Sequence, residues 1–322
     1  MSIKKVLAYI KSKNNFLITT HTNLEGDALG SVLSLYKLLR LLNKKAFIVI
    51  ADKIPEEYLF LSDIEKIKKF DKNLKRVKFD CFIVLDCSDL RRTGEVYKIN
   101  SPPKTILNID HHISNERFGE INWVEPAASS TCEMIYKLYK KLNIPLDKDI
   151  ALLLYVGILT DTGSFHYPNT RAFTHLAVSE LLKYNLDTYK IYKEIYENIP
   201  LEDARLLSKI LSGFKETLGA KVIWFQIRQS ILNKNKISSD LTEHILSFGR
   251  AIKGVEVVVL FKENQGRKNE IRVNLRSQGK IDVNRIAAFF GGGGHRTASG
   301  CTIKGKIEEV TRKVLDKIKE SF

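Results

Sequence analysis

No apolar run in this 322-residue chain approaches the roughly 20 residues needed to span a membrane. Its four cysteines (Cys81, Cys87, Cys132, Cys301) are scattered and form no CxxC pair, which argues against a zinc ribbon or a disulfide framework. They read instead as small core residues of a reducing compartment. Prolines number only seven and no tract is compositionally biased, so a low-complexity or fibrous chain is excluded. Zinc-finger, helix-turn-helix and RNA-recognition sheet motifs are missing. So is any serine or cysteine placed beside a base, the arrangement that covalent catalysis needs. The opening residues, MSIKKVLAYIKSKNNF, carry lysines on an amphipathic pattern and lack the apolar core and cleavage site of a signal peptide. A soluble, cytoplasmic protein with no membrane partner is expected.

What is abundant is positive charge. Lys and Arg total 52 against 37 Asp and Glu, a net charge of +15, and such a balance attracts polyanions. With no duplex-reading motif, it is read as steering small phosphorylated substrates rather than binding duplex DNA. The run Lys66–Lys78 (KIKKFDKNLKRVK) reads as a solvated surface.

The length accommodates two domains with substantial cores. Strand-like segments at 16–21 (FLITTH), 46–51 (AFIVIA), 80–86 (DCFIVLD) and 105–110 (TILNID) alternate with helix-like ones near 30–43, 129–142, 148–159 and 171–184. That alternation predicts βαβ units and a mostly parallel sheet flanked by helices. A charged helical pattern runs from 187 to 215. Strands near 220–227, 255–262 and 269–276 follow, with helices near 240–252, 281–290 and 306–320. The expected fold class is therefore α/β, with a second, smaller α/β domain of about 100 residues beyond a helical connector.

In open α/β sheets, ligands bind beyond the carboxyl ends of the strands. His21, Glu25 and Asp27 follow the first strand; Asp86, Asp89 and Arg92 follow FIVL; Asp110, His111 and His112 close TILNI; Asp161 ends the helix ALLLYVGIL. Each has a structural explanation alone: Asp27 as a helix cap, Asp86 as a turn residue, Asp161 as a loop aspartate. Together they collect carboxylates and imidazoles from four distant segments on one sheet edge. Unpaired carboxylates repel, and divalent cations relieve the repulsion. A carboxylate-rich set with few imidazoles and no thiolate suits Mn²⁺ or Mg²⁺ better than zinc or copper. Two such ions about 3.5–4 Å apart form the arrangement used for phosphoester displacement. The glycine run FGGGGHRTASG (290–300) lies between a helix pattern and a strand, where its amides could cradle an anion beside His295 and Arg296.

At these residues the chain resembles the DHH phosphoesterases. IDHH (109–112) carries the signature, HTNLEGDALGS (21–31) resembles the first motif and LDCSDLRRTG (85–94) the second. NIDHHISNERFGEINWVEPAASSTCE (108–133), GILTDTGSFHYPNT (157–170), NLRS (274–277) and FGGGGHRTASGC (290–301) continue the likeness in order. It is closest to the subfamily that degrades short oligoribonucleotides (nano-RNA) and dephosphorylates 3′-phosphoadenosine 5′-phosphate (pAp).

The resemblance implies a DHH domain over 1–186, a connector over 187–215 and a DHH-associated (DHHA1) domain over 216–322, with the active-site cleft between the two domains. It implies one cation on His21, Glu25 and Asp86 and a second on Asp27, Asp86, His111 and Asp161, with Asp86 bridging. Asp110 would orient the site, His112 would face the substrate, and a hydroxide activated by the two ions would attack. Mn²⁺ is expected, with Mg²⁺ or Co²⁺ as alternatives. Arg92, Arg276, Ser277, Gly292, Gly293, Gly294, His295 and Arg296 would contact substrate, and a homodimer is the family expectation. The usual first motif has proline and aspartate where Leu24 and Glu25 stand here; the first change is read as minor, the second as adding one methylene to a ligand. In PAASST, Ser130 and Glu133 have capping-box spacing, with a phosphate contact at the same helix start as the alternative. Two other functions compete: a cyclic-di-AMP or linear-dinucleotide phosphodiesterase, and a nucleotide-binding regulator that has lost turnover. All six metal-competent positions are retained, against the latter.

Overall fold

The computed structural model describes residues 3–71, 74, 77–234, 241–263 and 269–322. They form two compact units, Met1–Asn198 and Ile199–Phe322. In the first unit the elements run α1 (Ile3–Ser12), β1 (Asn15–Thr19), α2 (Gly26–Leu41), β2 (Lys45–Ile50), β3 (Ile67–Lys69), β4 (Cys81–Leu85), β5 (Thr105–Asp110), β6 (Ile121–Val124), α3 (Thr131–Leu142), α4 (Lys148–Asp161), α5 (Ala172–Leu182) and α6 (Thr188–Tyr196).

All strand pairs in this unit are parallel, in the order β3-β2-β1-β4-β5-β6. The chain leaves β1 toward β2 on one side and β4 toward β5 on the other, so the topology switches direction between β1 and β4. The carboxyl ends of those two neighbours are where such a sheet binds ligands. Alternation along each strand builds two cores. Phe16 and Ile18 of β1 join Ile83, Leu85, Leu107 and Ile109 beneath the helices. Leu17, Phe82 and Val84 face the other way, against Phe79, Val96 and Ile99.

Helix α4 is apolar on nearly every side because α2, α3 and α5 surround it, as a fully enclosed helix requires. Its approach to α2 depends on small residues. A Cβ at Gly30 would strike the Leu153 carbonyl, and one at Gly157 would meet Cys132 Sγ and come within 2.8 Å of Asp27 Oδ1. These glycines bring the end of α4 up to the first turn of α2.

Two strands depart from the sequence reading. β3 lies inside the lysine run read as solvated surface: Ile67 is buried opposite Ile48 at the sheet edge, while Lys68 and Lys69 are exposed. β6 pairs Trp123 with Ile109 and buries its indole.

The second unit comprises α7 (Leu201–Ser212), β7 (Lys215–Thr217), β8 (Val222–Ile227), α8 (Gln229–Lys234), α9 (Thr242–Ala251), β9 (Val257–Glu263), β10 (Glu270–Ser277), α10 (Val283–Phe289), β11 (Gly293–Gly294), β12 (Ala298–Lys304) and α11 (Ile307–Lys319). Its sheet, β11-β12-β10-β9-β8-β7, is antiparallel except for β8 beside β9. Helices α10 and α11 cover one face, and α7 and α9 the other. The helical stretch 187–215 is shared out: Ile191 of α6 packs into the first unit's core, and Leu206 and Ile210 of α7 into the second's. All four cysteines are buried and free. Among the described residues no helix is long and apolar enough to cross a membrane.

Candidate active site

Each polar side chain at the switch point is placed by the backbone that follows its strand. After β1, Thr22 N donates to Arg92 O at 2.7 Å and Asn23, in the left-handed region at φ 61°, donates its N–H to Asp52 Oδ2 at 2.7 Å. The chain then enters α2 at Gly26, whose missing Cβ leaves room for the Thr160 side chain next to Asp161. After β4, Asp86 also takes a left-handed φ, 52°, and its N–H donates to Ile109 O at 3.0 Å. Asp is among the few side chains that tolerate this conformation, and the turn carries its carboxylate back over the strand ends. His111 and His112 continue directly from β5.

Chain-distant groups converge on Asp86. His21 Nε2 lies 3.2 Å from Asp86 Oδ2 and 3.7 Å from Glu25 Oε1. His111 Nε2 lies 3.5 Å from Asp86 Oδ1, 3.2 Å from Asp161 Oδ2 and 3.9 Å from Asp27 Oδ2. His112 Nδ1 is 2.7 Å from Asp110 Oδ1 and 3.6 Å from Asp86 Oδ1. All are buried except Glu25, which is about half-exposed, and Asp161, which is partly so.

The imidazoles of His21 and His111 are both oriented from behind. His21 Nδ1 meets Thr22 O at 2.6 Å and His111 Nδ1 meets Ala128 O at 3.3 Å. With Nδ1 donating to a carbonyl, Nε2 is the nitrogen offered to a cation, the usual arrangement behind a metal-bound histidine. Asp27 is fixed differently: its carboxylate accepts Thr131 N at 2.6 Å and Cys132 N at 2.8 Å, two of the free amides at the start of α3.

The charge balance tests whether this set fits divalent cations. Among the described residues, Asp27, Asp86 and Asp161 have only His21, His111 and His112 as ion-pair partners. Burial pushes the Asp27 carboxyl up to about 7, with the Asp86 charge adding to the rise. Burial likewise lifts Asp161 well above the carboxylate range. Asp86 lies well below that range because hydrogen bonds from His111 and His21 outweigh burial. His111 is raised well above its ordinary value, burial being overcome by the Asp161 and Asp86 charges. Without a cation, then, the cluster holds protons it would release on binding one. His21, Glu25 and Asp86 form one candidate ligand set and Asp27, Asp86 and His111 another, the donor atoms of each lying within 4.8 Å of one another. The donor set fits hard divalent cations.

Residues 15–158 match the N-terminal domain of the DHH family, and residues 202–322 match the DHHA1 domain. The chain thus carries a DHH N-terminal domain followed by a DHHA1 domain. It is 28% identical over 308 residues to the bifunctional oligoribonuclease and PAP phosphatase NrnA of Thermus thermophilus, covering 95% of this chain and 89% of the relative. The protein of the same name from Bacillus subtilis is 28% identical, with 93% and 92% covered. An exopolyphosphatase-related protein from Bacteroides fragilis superposes with a TM-score of 0.87 at 27% identity, covering 99% of this chain and 96% of that one.

Around the DHH triplet lies a hydrogen-bond network drawn from the stretches 108–133 and 157–170. Asn115 Nδ2 donates to Asp110 Oδ2 at 2.6 Å, to Asn108 Oδ1 at 2.8 Å and to Cys87 O at 3.1 Å. Asn108 in turn donates to Val84 O and Cys87 O. Asp110 also accepts His111 N at 2.8 Å. The His112 charge beside it holds the Asp110 carboxyl at about 2 despite burial. Thr131 Oγ1 donates to Asp86 Oδ1 at 3.2 Å, and Asn169 Nδ2 ties Ser129 O to Asp161 O. Their advance signal was their place in the stretches that carry the family likeness, together with their residue type, amides and hydroxyls near acidic strand ends.

PAASST behaves as a cap with a shifted partner. Ser130 Oγ accepts Glu133 N at 3.0 Å, but the Glu133 carboxylate returns to Ser129 N and Oγ rather than to Ser130 N. The alternative, a phosphate at this helix start, meets an anion already in place, the Asp27 carboxylate. Leu24, read as minor, is buried in the main core.

Of the residues expected to contact substrate, Arg92 donates from Nη1 to Ser88 Oγ at 3.3 Å beside the acidic cluster, and its charge acts on His21. In the DHHA1 domain Arg276 Nη2 pairs with Glu243 Oε1, and the buried Ser277 hydroxyl donates to Ile281 O at 2.7 Å. The first two glycines of the run close a helix. Gly291, at φ 75°, donates to Ala288 O and Gly292 to Ala287 O, the paired bonds that close a helix in a Schellman motif. Gly292 is also pressed against Gly300 O and Cys301, with no room for a Cβ. Gly293 and Gly294 pair with Gly300 and Ser299 as β11. His295 N and O both bond Ala298, and Arg296 O accepts Val283 N. The Gly292 amide is thus taken up by the fold.

Proposed function

We propose that this chain hydrolyses phosphoester bonds in short oligoribonucleotides and in 3′-phosphoadenosine 5′-phosphate. The observation that carries the reading is that two compact ligand sets, His21–Glu25–Asp86 and Asp27–Asp86–His111, meet at Asp86, in a chain whose relatives bear that activity in their names. His21, Glu25 and Asp86 hold one ion; Asp27, Asp86, His111 and Asp161 hold the other. Mn²⁺ is the proposed ion and the cytoplasm the proposed compartment.

A bound pair of divalent cations supplies Lewis acidity at the phosphoryl oxygens and lowers the pKa of nearby water. The protein supplies the rest. Burial keeps Asp27 and Asp86 out of bulk water, so that their charge acts more strongly. The start of α3 fixes Asp27, and the Nδ1–carbonyl bonds fix His21 and His111. Asn115 holds Asp110, which holds His112 at Nδ1. That leaves His112 Nε2 to give a proton to the leaving oxygen, a general-acid role. Arg92, Arg276, His295 and Arg296 supply cationic or donor groups for phosphate and sugar, with Gly293 and Gly294 allowing close approach.

The test is hydrolysis of 3′-phosphoadenosine 5′-phosphate and of a short oligoribonucleotide by the purified chain with divalent cation, alongside Asp86→Ala. Activity in the parent and loss in Asp86→Ala is the expected result. Equal turnover by both proteins would overturn the assignment.

A further inference from the structure

The second unit contains a groove that no part of the proposed reaction uses. Helix α11 packs Ile307, Val310, Val314 and Ile318 onto the sheet, but the far edge formed by β7 and β8 is left partly open. There Lys215, Trp224 and Arg228 face Arg312, Leu315 and Lys319 of α11 across a cavity of about 330 Å³. Trp224 shares its strand face with the core residue Val222 and packs edge-to-face on Phe261 at 6.1 Å, yet remains half-buried. Gln226 Nε2 donates to Thr311 Oγ1 at 2.9 Å and fixes the groove floor.

The charges are unbalanced. Arg228 pairs with Glu308 at 2.8 Å and Lys319 with Asp316 at 3.1 Å. Among the described residues, Lys215 and Arg312 have no carboxylate partner. Lys215 Nζ instead sits 4.9 Å from the centroid of the Trp224 ring, its register partner across β7 and β8. Two uncompensated cations beside an accessible indole suit a ligand with one anionic group and one flat aromatic group. The volume lies at the low end for small-ligand sites, on the scale of one nucleotide.

We infer that this groove binds a nucleoside monophosphate, its base on Trp224 in place of the Lys215 side chain and its phosphate on Lys215 and Arg312. None of these residues belongs to the proposed metal or substrate contacts. Adenosine 5′-monophosphate is the probe of choice because loss of the 3′-phosphate from 3′-phosphoadenosine 5′-phosphate would generate it. That choice rests on the function proposed above; the chemistry of the groove does not.

The chain has two tryptophans. Trp123 is 4% exposed and Trp224 is half-buried, so ligand-dependent changes in intrinsic fluorescence report mainly on Trp224. Titrating the full chain with adenosine 5′-monophosphate is expected to give saturable quenching that disappears in Trp224→Phe. In Arg312→Glu, and independently in Lys215→Glu, the apparent Kd should rise at least about tenfold, with the parent's circular dichroism and phosphoesterase turnover retained. Adenosine without phosphate should bind more weakly. Absence of quenching in the parent, undiminished quenching in both charge variants, or an equal response to inorganic phosphate alone would each overturn the inference. Binding is read without turnover, so a chain inactive on every phosphoester would overturn the proposed function and leave this result standing.

Discussion

The buried acidic cluster should make the metal-free protein's stability fall as pH rises. Asp27 carries the clearest share. Its carboxyl is raised to about 7 in the folded chain, against an ordinary value near 4 when unfolded. The folded state therefore binds more protons than the unfolded state between those values, and stability drops as pH climbs through them. Between pH 5 and pH 8 this group alone is worth about 3 kcal/mol, taking about 1.4 kcal/mol per pKa unit over two units. Asp161 is raised by burial and acts in the same direction. His111 and His21, also raised, contribute stability below their ordinary value that is lost as pH rises through the folded one. Asp86 and Asp110 are depressed, so their contribution is constant above about pH 5. For a unit of this size about 3 kcal/mol corresponds to a melting shift of order 10 °C. Thermal unfolding of chelator-treated protein across pH 5–8 measures it. The slope should shrink in Asp27→Asn and nearly vanish when a divalent cation is restored, because the cation replaces the bound protons. A pH-independent Tm in the metal-free chain, or an unchanged slope in Asp27→Asn, would refute the reasoning.

Glu25→Ala should weaken one cation by about 10–100-fold while Glu25→Asp stays active, since the carboxylate reaches the site from an exposed position; calorimetric titration that finds no change in Glu25→Ala makes Glu25 a spectator. Asn115→Ala should lower kcat about 10–100-fold with little change in KM by freeing Asp110 and, through it, His112, and the acidic or basic limb of the kcat–pH profile should move with it. An unmoved profile would make Asn115 merely structural. Gly157→Ala should destabilise by about 1–3 kcal/mol through overpacking and also reduce metal affinity, because the new methyl meets Cys132 and Asp27; denaturant unfolding at parental stability would contradict the close packing.

Much of the acidic cluster is legible in the sequence because its members follow short, mostly apolar strand runs such as FLIT, CFIVL and TILNI. Their carboxyl ends had to lie on one edge once the sheet was parallel. β3 is hidden because its single apolar residue, Ile67, sits among lysines, and pairing with β2 decides its conformation rather than its own composition. The Asp27–Thr131 bond spans 104 residues, and no local pattern encodes it. The glycine run is open to two readings, and its first half follows one of them: glycine directly after a helix pattern closes the helix, as Gly291 and Gly292 do.

The central claim is that the Asp86 cluster holds the cations that drive phosphoester hydrolysis. Its most direct test is phosphate release from 3′-phosphoadenosine 5′-phosphate by chelator-treated chain, before and after Mn²⁺ is returned. Turnover should be absent without the ion and restored with it, and Asp86→Ala should stay inactive in both conditions. Undiminished turnover in the metal-free chain, or none on returning Mn²⁺, Mg²⁺ or Co²⁺, would contradict the account.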